Sequence, residues 1–124
     1  MPARVYYCDA SQYEKLKKLL EYDPYLDNKL TAEDLEKIKN DEMANVIFAR
    51  QDYVIKDGAA LDLDREKYYL YLNANEEFLE KAEKKLKAEI EGISRAGAEE
   101  EKKIIDSITE ERKKGEEGFG LIFG

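Results

Sequence analysis

Cys8 is the single thiol of the chain and is followed directly by Asp9. It stands at the end of a strand-like run, Arg4 to Cys8, just before a helical one. A thiol placed there can be drawn toward its nucleophilic thiolate by the positive end of a helix. The loop that follows, Asp9 to Glu14, contains acids and no Lys or Arg, so nothing in it would stabilise a thiolate or an oxyanion. No second cysteine completes C-x-x-C, and no Arg completes the C-x5-R loop of a thiol phosphatase. Cys8 and Asp9 are the candidates for catalysis, and against them stands the ordinary role of a free cysteine as a small buried hydrophobe.

Asp62, Asp64 and Glu66 occupy the first, third and fifth positions of a calcium-loop pattern. Position six is Lys67 where the turn needs Gly, and position twelve is Asn73 where a bidentate Glu belongs, so the pattern fails. On a strand these acids would form one solvated edge. Gly115, Gly118 and Gly120 invite comparison with phosphate-cradling loops, but such loops precede a helix and these glycines follow one. Glu116 and Glu117 lie among them and would repel phosphate. Gly115 is instead expected to cap a helix, with Phe119, Leu121, Ile122 and Phe123 forming a last strand or a docking peptide.

Tyr69 and Tyr71 carry a different message. Tyrosine gives large contact area at low entropy cost, so a sheet face bearing two of them suits a protein partner, unless a helix of the same chain covers it. Aromatic faces also stack nucleobases, but stacking without a basic rim loses its electrostatic term. The 21 Lys and Arg against 29 Asp and Glu leave a net charge of -8, which repels phosphate backbones and anionic membranes. Nucleic acid and membrane are not expected as partners. Histidine is absent, which removes imidazole bases, catalytic triads and His-containing metal sites. No metal or cofactor is expected.

The elements that must position these residues follow from periodicity. Arg4 to Cys8 is β-branched and aromatic and reads as a strand. From Ser11, Tyr13, Leu16, Leu19 and Leu20 recur at helical spacing, and Ser11 with Glu14 fits a capping box; the helix ends before Pro24. Thr31 and Asp34 repeat the capping pattern ahead of a short helix to about Asn40 that buries Leu35 and Ile38. Asn45 to Arg50, Asp52 to Lys56, Leu61 to Asp64 and Lys67 to Leu72 read as strands of an antiparallel meander, with a turn at Asp57 and Gly58. In the last of them Tyr68, Leu70 and Leu72 face one way and Lys67, Tyr69 and Tyr71 the other. Asn75 starts a helix striped by Leu79, Ala82, Leu86, Ile90 and Ile93 that breaks near Gly97. Ala98 to Lys114 forms a last helix with a narrow seam of Ile104, Ile105 and Ile108.

The 124 residues, 43% hydrophobic, suit one domain spanning residues 1–124, with 115–124 as an apolar, glycine-rich C-terminal tail. The order β-α-α-β-β-(β)-β-α-α-tail predicts an α+β fold: an antiparallel four- to five-stranded sheet with helices mainly on one face, an α/β sandwich. Charged residues reach 40%, dominated by Lys and Glu, a thermophile-like composition. No apolar run is long enough to span a membrane and no secretory pattern opens the chain, so a cytoplasmic protein is expected. These features favour a small acidic binding or assembly protein without catalytic activity, a homodimer or a subunit of a larger complex. It would act through Tyr69, Tyr71, Phe119, Leu121, Ile122 and Phe123. The alternatives are a small enzyme using Cys8 and Asp9 or carboxylate chemistry, and a regulatory small-molecule-binding domain.

Overall fold

The computed structural model describes residues 2–123, with side chains described through Gly115. Its strands are β1 (Ala3–Asp9), β2 (Asp52–Asp57), β3 (Lys67–Asn73) and β4 (Ser94–Arg95), and its α-helices are α1 (Tyr13–Glu21), α2 (Ala32–Lys39), α3 (Glu76–Glu89) and α4 (Ala98–Phe123). The strands form one antiparallel sheet in the order β2-β3-β1-β4. The fold is the expected α+β arrangement. β1 and β3 pair along their whole lengths, from Ala3 opposite Asn73 to Asp9 opposite Lys67, and build the centre.

Side-chain alternation divides the core in two. Tyr6, Cys8, Leu70 and Leu72 point to the face covered by Leu16 and Leu20 of α1 and by Leu79, Ala82 and Leu86 of α3. Val5, Tyr69 and Tyr71 point to the opposite face, where Ile104 and Ile108 of α4 lie over them. The alternation read from β3 is therefore the one observed, and the helices other than α4 leave that second face free. α4 is tied down at both ends of its packed part. Glu101 accepts a hydrogen bond from the Val5 amide at 3.0 Å and two from the Arg95 guanidinium at 2.9 Å each, while Arg112 forks onto both carboxylate oxygens of Asp52 at 2.7 and 2.9 Å.

Local chemistry explains where the elements begin. Thr31 and Asp34 make the expected capping box at α2, and Asn75 Oδ1 accepts from the Phe78 amide at α3. The box expected from Ser11 and Glu14 does not form. Asp9 takes the capping role one turn earlier, accepting from the Ser11 amide at 2.9 Å, so Ala10–Gln12 is a 3-10 turn and α1 starts at Tyr13.

Two expected strands are corrected. Asn45 to Arg50 is irregular and ends in a 3-10 turn, Phe48–Arg50. Val46, Ile47 and Phe48 are all buried in succession, where a strand would alternate. The Val46 carbonyl is satisfied by Lys85 Nζ at 3.0 Å, not by a neighbouring strand, and the Phe48 ring meets Phe78 edge-on. Leu61 to Asp64 is a compact loop that begins with a 3-10 turn, Ala59–Leu61, and passes through Asp62 in the left-handed region at φ 57°. Gly58 makes this loop possible. A Cβ there would lie 1.7 Å from the Asp64 carbonyl oxygen, so no side chain fits.

The last third also differs in detail. α3 ends at Glu89, and the chain turns through Gly92 at φ 75° into the two-residue β4, although Ile90 and Ile93 remain buried as expected. Gly115 is not a helix cap: α4 continues through it to Phe123. α4 takes in Gly115, Gly118 and Gly120, each at about 1 kcal/mol of helix propensity relative to Ala. Phe119, Leu121, Ile122 and Phe123 thus belong to α4 and not to a strand. Their side chains, and Gly124 altogether, lie outside the described residues.

Candidate functional site

Cys8 and Asp9 are adjacent in sequence and separated in space by the alternation of β1. The Cys8 side chain is buried in the core between β3 and the α1/α3 layer, while Asp9 is exposed. Burial, reinforced by the Asp9 charge, pushes the thiol up to about 11. Asp9 moves the other way, since hydrogen bonds from Ser11 hold its carboxyl below the usual carboxylate range. A protonated, enclosed thiol and an ionised cap do not make a nucleophile and base. Asp62, Asp64 and Glu66 decorate the loop between β2 and β3, and among the described residues no group of His, Cys, Asp or Glu is arranged to hold a metal ion.

Tyr69 and Tyr71 are 4% and 5% exposed. Arg112 lies over the Tyr71 ring at 5.5 Å, and Lys67 lies at 4.7 Å over the Tyr7 ring, which itself packs at 6.0 Å against Tyr69. The tyrosine face is covered by α4, and a partner would reach it only by displacing that helix.

Among the described residues, three hollows stand out. One of about 330 Å³ lies between the end of α2 and the start of α3, where Lys39 and Lys81 alternate with Asp41, Glu42 and Glu77, so that the charges nearly cancel with one acid in excess. One of about 160 Å³ is apolar, lined by Leu19, Pro24, Ile38, Ala44 and Val46, with Lys85 at its wall. Burial lowers the pKa of Lys85, whose ammonium is already committed to the Val46 carbonyl. The third, of about 220 Å³, runs between β2 and α4 and is lined by Val54, Lys56, Ile108, Glu111 and Arg112.

That third hollow adjoins the feature that sequence reasoning missed. β2 is an edge strand of six residues, with β3 on one side and no strand among the described residues on the other. Tyr53 and Ile55 pack half-buried at the margin of one core and Val54 at the margin of the other, so apolar side chains reach the rim on both faces. The Gly58 amide donates to the Lys67 carbonyl opposite it. In an antiparallel ladder this sets the alternation: Asp52, Val54 and Lys56 turn their N–H and C=O groups toward β3, and Tyr53 and Ile55 turn theirs outward. The run Asp52 to Lys56 was legible as a strand, but its place at the edge depends on β1 inserting beside β3, which no local pattern encodes.

Comparison with known proteins finds no matching family, no matching curated protein and no matching solved structure. Among the described residues no helix is long and apolar enough to cross a membrane.

Proposed function

We propose that the chain is a small, acidic, non-catalytic assembly protein of the cytoplasm that acts by protein–protein contact. The observation that carries this reading is the open β2 edge. A strand whose outward N–H and C=O groups find no partner among the described residues, with apolar side chains at the rim on both faces, is a template for adding a strand from another polypeptide. The sealed Cys8 supports a structural thiol rather than the enzyme alternative. The apolar hollow of about 160 Å³ falls short of the roughly 300–1,000 Å³ of ordinary ligand sites, and the one of about 330 Å³ that reaches this range is lined mostly by charged and polar side chains where such sites are mostly apolar, which argues against the small-molecule alternative. The net charge of -8 supports protein partners over nucleic acid or anionic membranes. Phe119, Leu121, Ile122 and Phe123 would add apolar contact area in such an assembly, whereas Tyr69 and Tyr71 act within the chain as the seat of α4.

The test is the size of the protein in a native extract of its own cells, with wild type beside Ile55→Pro. Proline at position 55 removes an outward amide and leaves the β2–β3 bonds in place, which an edge strand tolerates. Wild type is expected to elute well above its 14.4 kDa and the variant, folded by circular dichroism, at its own mass. Wild-type elution as a free chain, or identical elution of the two, removes the reading.

A further inference from the structure

We infer that the partner of the β2 edge is a second copy of this chain, joined antiparallel about a two-fold axis through Val54, so that two four-stranded sheets become one. The inference rests on the assembly reading and adds to it the partner and the register. Only Tyr53 and Ile55, with Asp57 at the strand end, present outward hydrogen-bonding groups, so a symmetric antiparallel pairing must match odd residues with odd ones. Three centred registers satisfy this condition. In the first, Tyr53 faces Tyr53 of the second copy, and Asp52 falls opposite Val54. In the second, Ile55 faces Ile55, Lys56 falls opposite Val54 and Tyr53 opposite Asp57. Both bury a charge against an apolar residue.

The third register places Tyr53 opposite Ile55, Val54 opposite Val54, and Asp52 opposite Lys56. Every pair is then favourable: aromatic on β-branched, apolar on apolar, acid on base. The charges continue outward without conflict. Arg112 already forks onto Asp52 and Glu111 already bonds Lys56 within each copy. Bringing Asp52 beside Lys56 of the second copy therefore produces the alternating row Arg112, Asp52, Lys56, Glu111 twice over. Charges on an edge strand ordinarily discourage pairing. Here Asp52 and Lys56 lie equally far from Val54 with opposite sign, so they reject the two slipped registers and accept the central one.

The register is testable without knowing any other partner. In it Val54 is a non-hydrogen-bonded pair with its own copy, with Cα atoms about 4.5 Å apart, inside the roughly 4.4–6.8 Å span of disulfides. Purified Val54→Cys is expected to form a covalent dimer under mild oxidation, while Ile55→Cys, which faces Tyr53, is not. Cys8 is buried and stays silent in both. Light scattering on the purified wild type should give twice the 14.4 kDa chain mass. Val54→Lys, which sets two ammonium groups face to face, should weaken dimerisation by about tenfold or more while the circular dichroism of the fold is kept. A wild-type mass of one chain at all concentrations up to about 100 μM overturns the self-pairing. So does cross-linking through Ile55→Cys in place of Val54→Cys. Either failure leaves the general assembly reading to the extract experiment, which does not depend on what the partner is.

Discussion

Cys8 and Tyr6 are each 1% exposed and sit two positions apart on the same face of β1. Burial raises the thiol from 9.0 to about 11 and the phenol from 10.0 to about 12, the latter helped by the Glu83 carboxylate that accepts its hydrogen bond at 3.0 Å. Both groups are neutral when protonated, so as pH climbs the unfolded chain releases these protons first. Their contribution to stability is whole below pH 9 and is lost as pH rises through the folded values. The thermal midpoint is expected to hold level from about pH 6 to 8 and to fall between about 9 and 11, less steeply in Cys8→Val than in wild type. A midpoint indifferent to alkali would contradict this burial. Alkylation makes the same point chemically: at pH 8 about one Cys8 in a thousand is thiolate, so iodoacetamide should label it only after denaturation. The sequence already weighed Cys8 against a core role, because the acid beside it was visible. The β1 alternation that turns Cys8 and Asp9 to opposite sides was not legible, because the strand read from the sequence ends at Cys8 and leaves Asp9 in a turn, whereas β1 runs on through Asp9.

At the scale of elements, α2 and α4 are the parts held by few contacts. No residue of α2 is fully buried, so its helix leans on the capping box of Thr31 and Asp34. Thr31→Ala is expected to cost about 1 kcal/mol, seen in urea unfolding as a lower midpoint or as early loss of amide protection confined to Ala32–Lys39. α4 is held by Ile104 and Ile108, with Ile105 partly buried beside them, and by its clamps. Burial works to raise the Glu101 carboxyl, but the hydrogen bonds from Arg95 and from the Val5 amide outweigh it and keep the group below its usual value. Glu101→Ala would leave the Val5 amide without its partner and is expected to destabilise by about 2–3 kcal/mol. An effect under about 0.5 kcal/mol would mean that the clamp is idle. The elements also show what the sequence could reveal. Capping at Thr31 and Asn75 and the two-sided pattern of Lys67 to Leu72 are local and were readable. Val46 to Phe48 looked like a strand because its residues suit one, and it became a plug because Lys85 and Phe78, far along the chain, supply its partners. β4 is two residues long and carries no periodicity to read.

At the scale of the whole molecule, a charged fraction of 40% on a 124-residue chain predicts resistance to heat, with a midpoint above the roughly 45–65 °C of ordinary mesophile domains. A scanning calorimetry midpoint inside that range would refute the thermophile-like reading of the composition. Sheet order matters more to how the molecule behaves among copies of itself. The two margins of the sheet are unequal: β2 offers six residues, whereas β4 meets β1 through Tyr6 opposite Arg95 and Tyr7 opposite Ser94 and then gives way to α4. A strip two residues long is too short to recruit a neighbour. Among the described residues the sheet accordingly offers one margin for joining, and a particle with a single such margin can bind once and then has nothing left to offer. In the self-pairing proposed above, growth through the sheet would terminate at a pair, which would let an exposed strand serve for association in a crowded solution without seeding a fibre.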